Sequence, residues 1–318
     1  MQRRILVIGS EGQIGTELML AIQNRWPESF ILGADLMQKN HGHWEFVPMD
    51  ARDAEGLIDI VRQFEIDTVY LMAAMLSARG EQMPDEAWDL NMGSLLNVLK
   101  LARDGRIKQI FWPSSIAVFG PTTPKNPASQ ETICAPTTVY GISKYAGELW
   151  CQWYNLKYGV DVRSIRYPGL ISYGTVPGGG TTDYAVEIFY NAVEKKNYTC
   201  FLEPHTRLPM MFMPDAIKAT LELMEAPQSC LSTRMAYNIA AFSFTPHELA
   251  LCIKKFITEF EIQYKPDFRQ KIAESWPQVI DDTQARIDWH WSPEFDFEEM
   301  VKIMLREIKQ NRAAEKSV

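Results

Sequence analysis

A chain of 318 residues, 46% of them hydrophobic, can bury a full core and fits either one large α/β unit or a domain with an added lobe. A net charge of −8 with no basic cluster excludes nucleic acid and anionic membrane surfaces as expected partners, because phosphate binding needs a basic surface. No stretch approaches the apolar length of about 18 residues required of a spanning helix, and Met1-Gln2-Arg3-Arg4 leads directly into a strand-like run with no signal-peptide region, so a cytoplasmic chain is expected.

Short β-rich runs alternate with helix-length segments: Arg4 to Ile8, Phe30 to Ala34, Glu45 to Val47, Thr68 to Met72, Gln109 to Trp112 and Val160 to Arg166. That alternation predicts an α/β fold with a Rossmann-type doubly wound parallel sheet, and the near-continuous apolar runs suit strands buried on both faces. Residues 1–167 are expected to form the domain of this sheet, completed by a strand near 235–240. Residues 168–318 then make mainly a smaller, interleaved lobe, which takes the substrate if the sheet domain takes a cofactor. The tail from Arg312 to Lys316 reads as a frayed end.

The first run is followed by Gly9-Ser10-Glu11-Gly12-Gln13-Ile14-Gly15 and a helix opening. Here the first glycine permits a tight turn, the second close approach of a pyrophosphate, and the third close helix packing. The phosphates would sit on the helix N-terminus. Asp35 lies twenty residues after Gly15, where an acid accepts from ribose hydroxyls and repels a 2′-phosphate, so NAD is the expected cofactor. Asp50 is either an acceptor for the adenine amino group or part of a helix cap in Asp50-Ala51-Arg52-Asp53.

Farther along, Tyr140-Gly141-Ile142-Ser143-Lys144 puts a phenol and an ammonium four residues apart, on one helix face. A neighbouring cation stabilises a phenolate, so the pair can take a proton from a hydroxyl. It follows the run ending Phe111-Trp112-Pro113-Ser114-Ser115, whose hydroxyls emerge at the sheet edge where open α/β sheets bind ligands. The five cysteines are scattered without a C-x-x-C pair, and the five histidines lack metal spacing. No metal or disulfide is expected, and His41-Gly42-His43 reads as a solvated loop.

Gly9-x-x-Gly12-x-x-Gly15, Asp35, Asp50, Ala73-Ala74, Asn91, Ser115 through Gly120, Tyr140-x-x-x-Lys144 and Arg166-Tyr167-Pro168 together resemble the extended short-chain dehydrogenases, which include nucleotide-sugar epimerases and dehydratases. The resemblance implies that Ser115 orients the substrate hydroxyl and that Tyr140 is the base. It gives Lys144 the nicotinamide ribose and a role in lowering the tyrosine pKa. It places Gly9, Gly12, Gln13, Ile14, Gly15, Asp35, Asp50, Ala51, Ala73, Ala74, Asn91, Tyr140, Lys144 and Tyr167 around NAD. Counting back from Val118-Phe119-Gly120 selects Ser115 over Ser114 as the catalytic hydroxyl.

Sugar-nucleotide members commonly carry an asparagine a few residues after the arginine of Arg166-Tyr167-Pro168-Gly169-Leu170-Ile171; here it is missing. Three segments are instead similar to the short-chain type of L-threonine 3-dehydrogenase: Ala73 to Glu81, Pro177-Gly178-Gly179-Gly180-Thr181-Thr182-Asp183-Tyr184-Ala185, and Leu208 to Asp215. The glycines and threonines before a helix offer N–H groups and hydroxyls for a small carboxylate, or else form a loop capped by Thr182 or Asp183. Ser77 is either a contact for the amino acid's polar end or a turn serine. Arg207 is a relic of phosphate binding, an ion-pair partner or a carboxylate contact, and Met210, Met211 and Met213 read as packing. Expected substrate contacts are therefore Ser77, Ser115, Tyr140, Gly180, Thr181 and Thr182.

The activity this resemblance implies is oxidation of the 3-hydroxyl of L-threonine to 2-amino-3-oxobutanoate with hydride transfer to NAD. Nucleotide-sugar epimerisation or dehydration is the alternative. Leu149, Trp150, Trp153 and Tyr154 leave the Tyr140 helix apolar on several sides. In relatives that helix, with the one from Asn91 to Leu101, pairs with a second subunit, so a homodimer is expected.

Overall fold

A computed structural model describes residues 3–38, 44–174 and 178–315. His41, His43, Pro177 and Lys316 lie outside the described residues. The strands are β1 (Arg4–Ile8), β2 (Phe30–Asp35), β3 (Glu45–Pro48), β4 (Thr68–Leu71), β5 (Gln109–Phe111), β6 (Ser114–Ser115), β7 (Asp161–Tyr167), β8 (Gly169–Ile171), β9 (Asn197–Cys200), β10 (Leu208–Phe212), β11 (Ala236–Asn238), β12 (Phe242–Phe244) and β13 (Glu261–Tyr264). The helices are α1 (Gln13–Arg25), α2 (Ala54–Gln63), α3 (Ser77–Gln82), α4 (Pro84–Arg103), α5 (Val139–Tyr158), α6 (Tyr184–Glu194), α7 (Met213–Glu225), α8 (Pro246–Lys254), α9 (Arg269–Ser275), α10 (Thr283–Trp289) and α11 (Phe297–Glu315).

The main sheet runs β11-β7-β5-β4-β1-β2-β3, with β6 also paired to β7, and every pairing in it is parallel. Strand order reverses between β1 and β4, so the crevice beyond their carboxyl ends is the place where a doubly wound sheet binds its ligand. The pleat divides β1 cleanly: Ile5 and Val7 pack with α1 and α7, while Leu6 and Ile8 pack with α2, α4 and α5. Burial on both faces explains why these strands read as continuous apolar runs.

A third apolar cluster joins α6, α8 and α11 around Phe189, Leu249 and Met304. It supports a three-stranded sheet, β12-β10-β8, and a parallel pair, β13-β9. The Met-rich segment bridges two cores: Met210 of β10 packs in this cluster, while Met211 of β10 and Met213, which opens α7, pack with α1 beneath the main sheet, all fully buried. The tail expectation needs correction, because α11 continues through Glu315 and Arg312 is ion-paired with Glu194.

Candidate active site

The first turn leaves no room for a side chain at Gly9 or Gly15. Gly9 has φ +86°, and a Cβ there would lie 2.5 Å from the Ala73 amide nitrogen; at Gly15 it would lie 2.1 Å from the Gly9 carbonyl. Backbone therefore meets backbone where β1, β4 and α1 converge. Gln13 and Ile14 open α1, and Gly12 at its N-cap supplies no side-chain acceptor, leaving first-turn amides for an anion. Asp35 ends β2, accepting from Glu11 N at 3.0 Å and Leu36 N at 2.8 Å, so one carboxylate both braces the turn and stands beside it.

Asp50 is committed to Arg52, which donates from Nε (3.0 Å), Nη2 (2.6 Å) and its backbone N–H (2.9 Å). These bonds, the Arg52 side chain first, hold its carboxyl below the usual range. The helix cap is not Asp50 but Asp53, which accepts from Gly56 N at 3.0 Å. Ala51 is buried between them. Ala73 donates to Ile8 O at 3.0 Å, with Ala74 next in the chain. Asn91 braces this segment: its Oδ1 accepts from Met75 N at 2.8 Å, and its Nδ2 donates to Ser143 Oγ on α5 at 3.1 Å.

Thr138 caps α5 by accepting from Gly141 N at 3.1 Å, and Tyr140 and Lys144 follow one turn apart. The Ser115 hydroxyl acts on the Tyr140 phenol, favouring its ionised form, whereas Ser114 points inward and donates to Glu148 Oε1 at 2.5 Å. Lys144 is buried, with Nζ donating to Pro113 O at 2.6 Å, 4.6 Å from the Trp112 ring centroid and 5.6 Å from that of Tyr140. Burial pushes the Tyr140 phenol up to about 12, opposed by the Ser115 hydrogen bond, and pulls Lys144 down to about 7. Lys144 Nζ thus stands near the phenol while it is held by Pro113 O and the Trp112 face.

A second wall comes from α3 and the loop before α6. Glu81 Oε1 accepts from Val139 N at 2.7 Å and so fastens α3 to the start of α5. Ser77, the first residue of α3 rather than a turn serine, shares a buried hydrogen bond of 3.2 Å with Thr181 Oγ1. Two of the loop amides are not open donors, however. Asp183 Oδ2 accepts from Gly179 N at 2.8 Å and Gly180 N at 2.7 Å, so the capped-loop reading holds and Gly180 N–H is taken. Thr182 is half-buried, its methyl packed near Gly169.

Two further residues are engaged elsewhere. The Tyr167 side chain is buried, with its hydroxyl hydrogen-bonded to Thr220 Oγ1, so β7 offers a cofactor backbone there and not the phenol. Arg207 is an ion-pair partner: it holds Glu248 and donates to Ser243 O at 2.7 Å. Sequence reasoning missed Glu81 and the fully buried Glu148–Arg166 pair. A signal for the pair existed in the sequence: an acid one turn past Lys144 and an arginine inside an otherwise strand-like run.

The family model for NAD dependent epimerases/dehydratases matches residues 5–240. The chain belongs to that family. An epimerase/dehydratase of Staphylococcus haemolyticus, itself uncharacterized, is 45% identical over 96% of this chain and 98% of its own. Among solved structures, a GalE-like L-threonine dehydrogenase from Cupriavidus necator in its holo form is 53% identical, covering 96% of this chain and 99% of that one, with a TM-score of 0.94. A monomeric L-threonine 3-dehydrogenase from a metagenome is 47% identical over 96% and 99%, also with a TM-score of 0.94. NAD is the cofactor of this family, and the uncapped α1 terminus, the glycine turn and Asp35 fit it. Among the described residues no group of three His, Cys, Asp or Glu could hold a metal ion.

Proposed function

We propose that this chain oxidises the 3-hydroxyl of L-threonine to 2-amino-3-oxobutanoate. The observation carrying this reading is the buried hydroxyl pair of Ser77, on a helix fastened to the start of α5, and Thr181, set beside a first pair, Ser115 and the Tyr140 phenol on which it acts. A small zwitterion has a hydroxyl for the first pair and polar ends for the second. The named activity of the Cupriavidus necator and metagenomic proteins supports the same choice. A nucleotide diphosphate finds less support, since Arg207 is held by Glu248 and Ser243.

In this reading NAD, held by the Gly9–Gly15 turn, Asp35 and Asn91-braced residues Ala73 and Ala74, supplies the hydride acceptor. Ser115 holds the substrate oxygen, and Tyr140 as phenolate takes its proton while the C3 hydrogen leaves with its electron pair. Lys144 keeps a donor beside the phenol. Since the phenol is the base and stands high, the rate rises with pH. Thr181, Ser77 and Thr182 bind the amino acid's polar ends. Residues 1–167 with the 235–240 strand serve the cofactor, and 168–318 mainly the substrate.

The chain is further proposed to work in the cytoplasm as a homodimer. Its five cysteines are all unpaired, as a reducing compartment would leave them. Along α5, Leu149, Trp150, Trp153 and Leu156 are exposed, and Trp88 of α4 is also exposed. Such a row of large apolar groups suits a subunit interface. A single-subunit mass by light scattering at working concentration would contradict the dimer.

The test of the activity is a panel of L-threonine, L-serine, L-allo-threonine and UDP-galactose with NAD, followed by NADH absorbance. Net NADH from L-threonine is expected, with L-serine poorer because a lost methyl contact costs about 1–3 kcal/mol of discrimination. Interconversion of UDP-galactose and UDP-glucose without net NADH would replace this reading with the epimerase one.

A further inference from the structure

Directly beneath the reacting groups lies a buried charge pair with no part in the steps above. Glu148 is one turn beyond Lys144 on α5 and fully buried. Both its oxygens are held by Arg166 of β7, through Nε at 2.9 Å and Nη2 at 2.7 Å. Arg166 is itself fixed by Asn238 Oδ1 of β11 at 3.1 Å and Gln130 O at 3.2 Å. The same Glu148 Oε1 accepts from Ser114 Oγ at 2.5 Å, and Ser114 is the chain neighbour of Ser115.

We infer that the Glu148–Arg166 pair, acting through Ser114, is a positioning device that sets where Ser115 stands relative to Tyr140; this rests on the proposed role of those two residues. The geometry argues for it in three ways. β6 is only two residues long, Ser114 and Ser115, and pairs with β7 alone, so its short ladder fixes it weakly. The Ser114 tie adds a charge-assisted bond from the strand that carries Ser115 to the helix that carries Tyr140. Moreover, the pair is anchored on β7 and β11, so strand, helix and sheet edge are held as one body. A carboxylate at this depth keeps its charge only with such a partner and full hydrogen bonding.

The groups facing the pair are consistent with a permanently charged tie. Tyr145 and Cys134 interact with it, and burial pushes both upward, leaving them neutral near pH 7. Cys151, one turn beyond Glu148, is also held well above the usual thiol range by burial. Lys144 is the remaining cation on this face, and Glu148 acts to keep it charged against burial.

The experiment is a double-mutant cycle on Ser114→Ala and Ser115→Ala, neither of which strands a buried charge. Ser114→Ala should lower kcat about tenfold, the upper net worth of one hydrogen bond, with the KM for L-threonine and the affinity for NAD within about twofold of wild type. In the Ser115→Ala background the same change should cost nothing further, because Ser114 then has nothing to position. A second readout needs no substrate: the 13C resonance of the Tyr140 ζ-carbon, assigned with Tyr140→Phe, should move in Ser114→Ala in the same direction as in Ser115→Ala. Wild-type kcat and an unmoved resonance in Ser114→Ala, or additive losses in the double variant, would overturn the inference. Wild-type protein that makes no NADH from L-threonine would overturn the substrate reading instead, and the resonance would still decide the positioning role.

Discussion

Two glycine-rich turns in this molecule each precede a helix and each lie beside an aspartate, yet they end in opposite chemical states. At Gly9 to Gly15, Asp35 takes a single amide of the turn, Glu11 N–H, and the start of α1 has no side-chain cap. At Gly179 and Gly180, Asp183 comes from the same loop and takes both glycine amides. The first turn therefore leaves the start of α1 open to an anion, while the second has both of these glycine amides claimed. Glycines before a helix thus do not make an anion seat; what matters is whether an acid of the chain has already claimed the N–H groups.

The largest effect is expected between the two turns rather than at either. Tyr140→Phe should lower kcat by roughly two to four orders of magnitude, the range for a positioned proton acceptor, with NAD and L-threonine still bound. Near-normal turnover would mean that the turns frame some other chemistry. Next is Gly15→Ala, whose Cβ would meet the Gly9 carbonyl at 2.1 Å. An overpacking cost of about 1–3 kcal/mol should appear in calorimetry as roughly ten- to hundredfold weaker NAD binding. Gly180→Ala meets only the movable end of Asp183, so its NAD affinity should match wild type. Equal losses in the two glycine variants would erase the contrast.

Comparing the two aspartates sharpens the contrast further. Asp35→Ala should reduce the preference for NAD over NADP by about tenfold, the scale of a lost charged hydrogen bond, read from kcat/KM with each cofactor. Ser115→Ala should move the pH at which turnover rises to a higher value, because it removes the hydrogen bond that opposes the upward push on Tyr140. An unchanged pH profile would show that Ser115 does not hold the phenol. The smallest effect is expected of Thr182→Ala, a few-fold rise in the KM for L-threonine, with unaltered NAD affinity.

Much of the Rossmann half was legible because its determinants are local. Ile5 to Ile8 and Val69 to Leu71 are buried on both faces, and Gly9, Gly12 and Gly15 are spaced by the turn itself. The choice of Ser115 over Ser114 rests on counting along a motif, and Ser114 is tied to Glu148. What escaped depends on partners distant in the chain. Nothing around Tyr167 announces that its hydroxyl meets Thr220, nor around Arg207 that Glu248 will hold it. The Gly178 to Asp183 loop was readable in both ways, since capture of the amides depends on backbone geometry that composition leaves open.

The central claim, that Ser115 and Tyr140 serve oxidation at C3 of L-threonine, is tested most directly with L-threonine deuterated at C3. Incubation with the purified protein and NAD should yield NADH carrying one deuterium per turnover, with 2-amino-3-oxobutanoate formed in equal amount. NADH without the label, or no NADH at all from a protein that binds NAD, would contradict it.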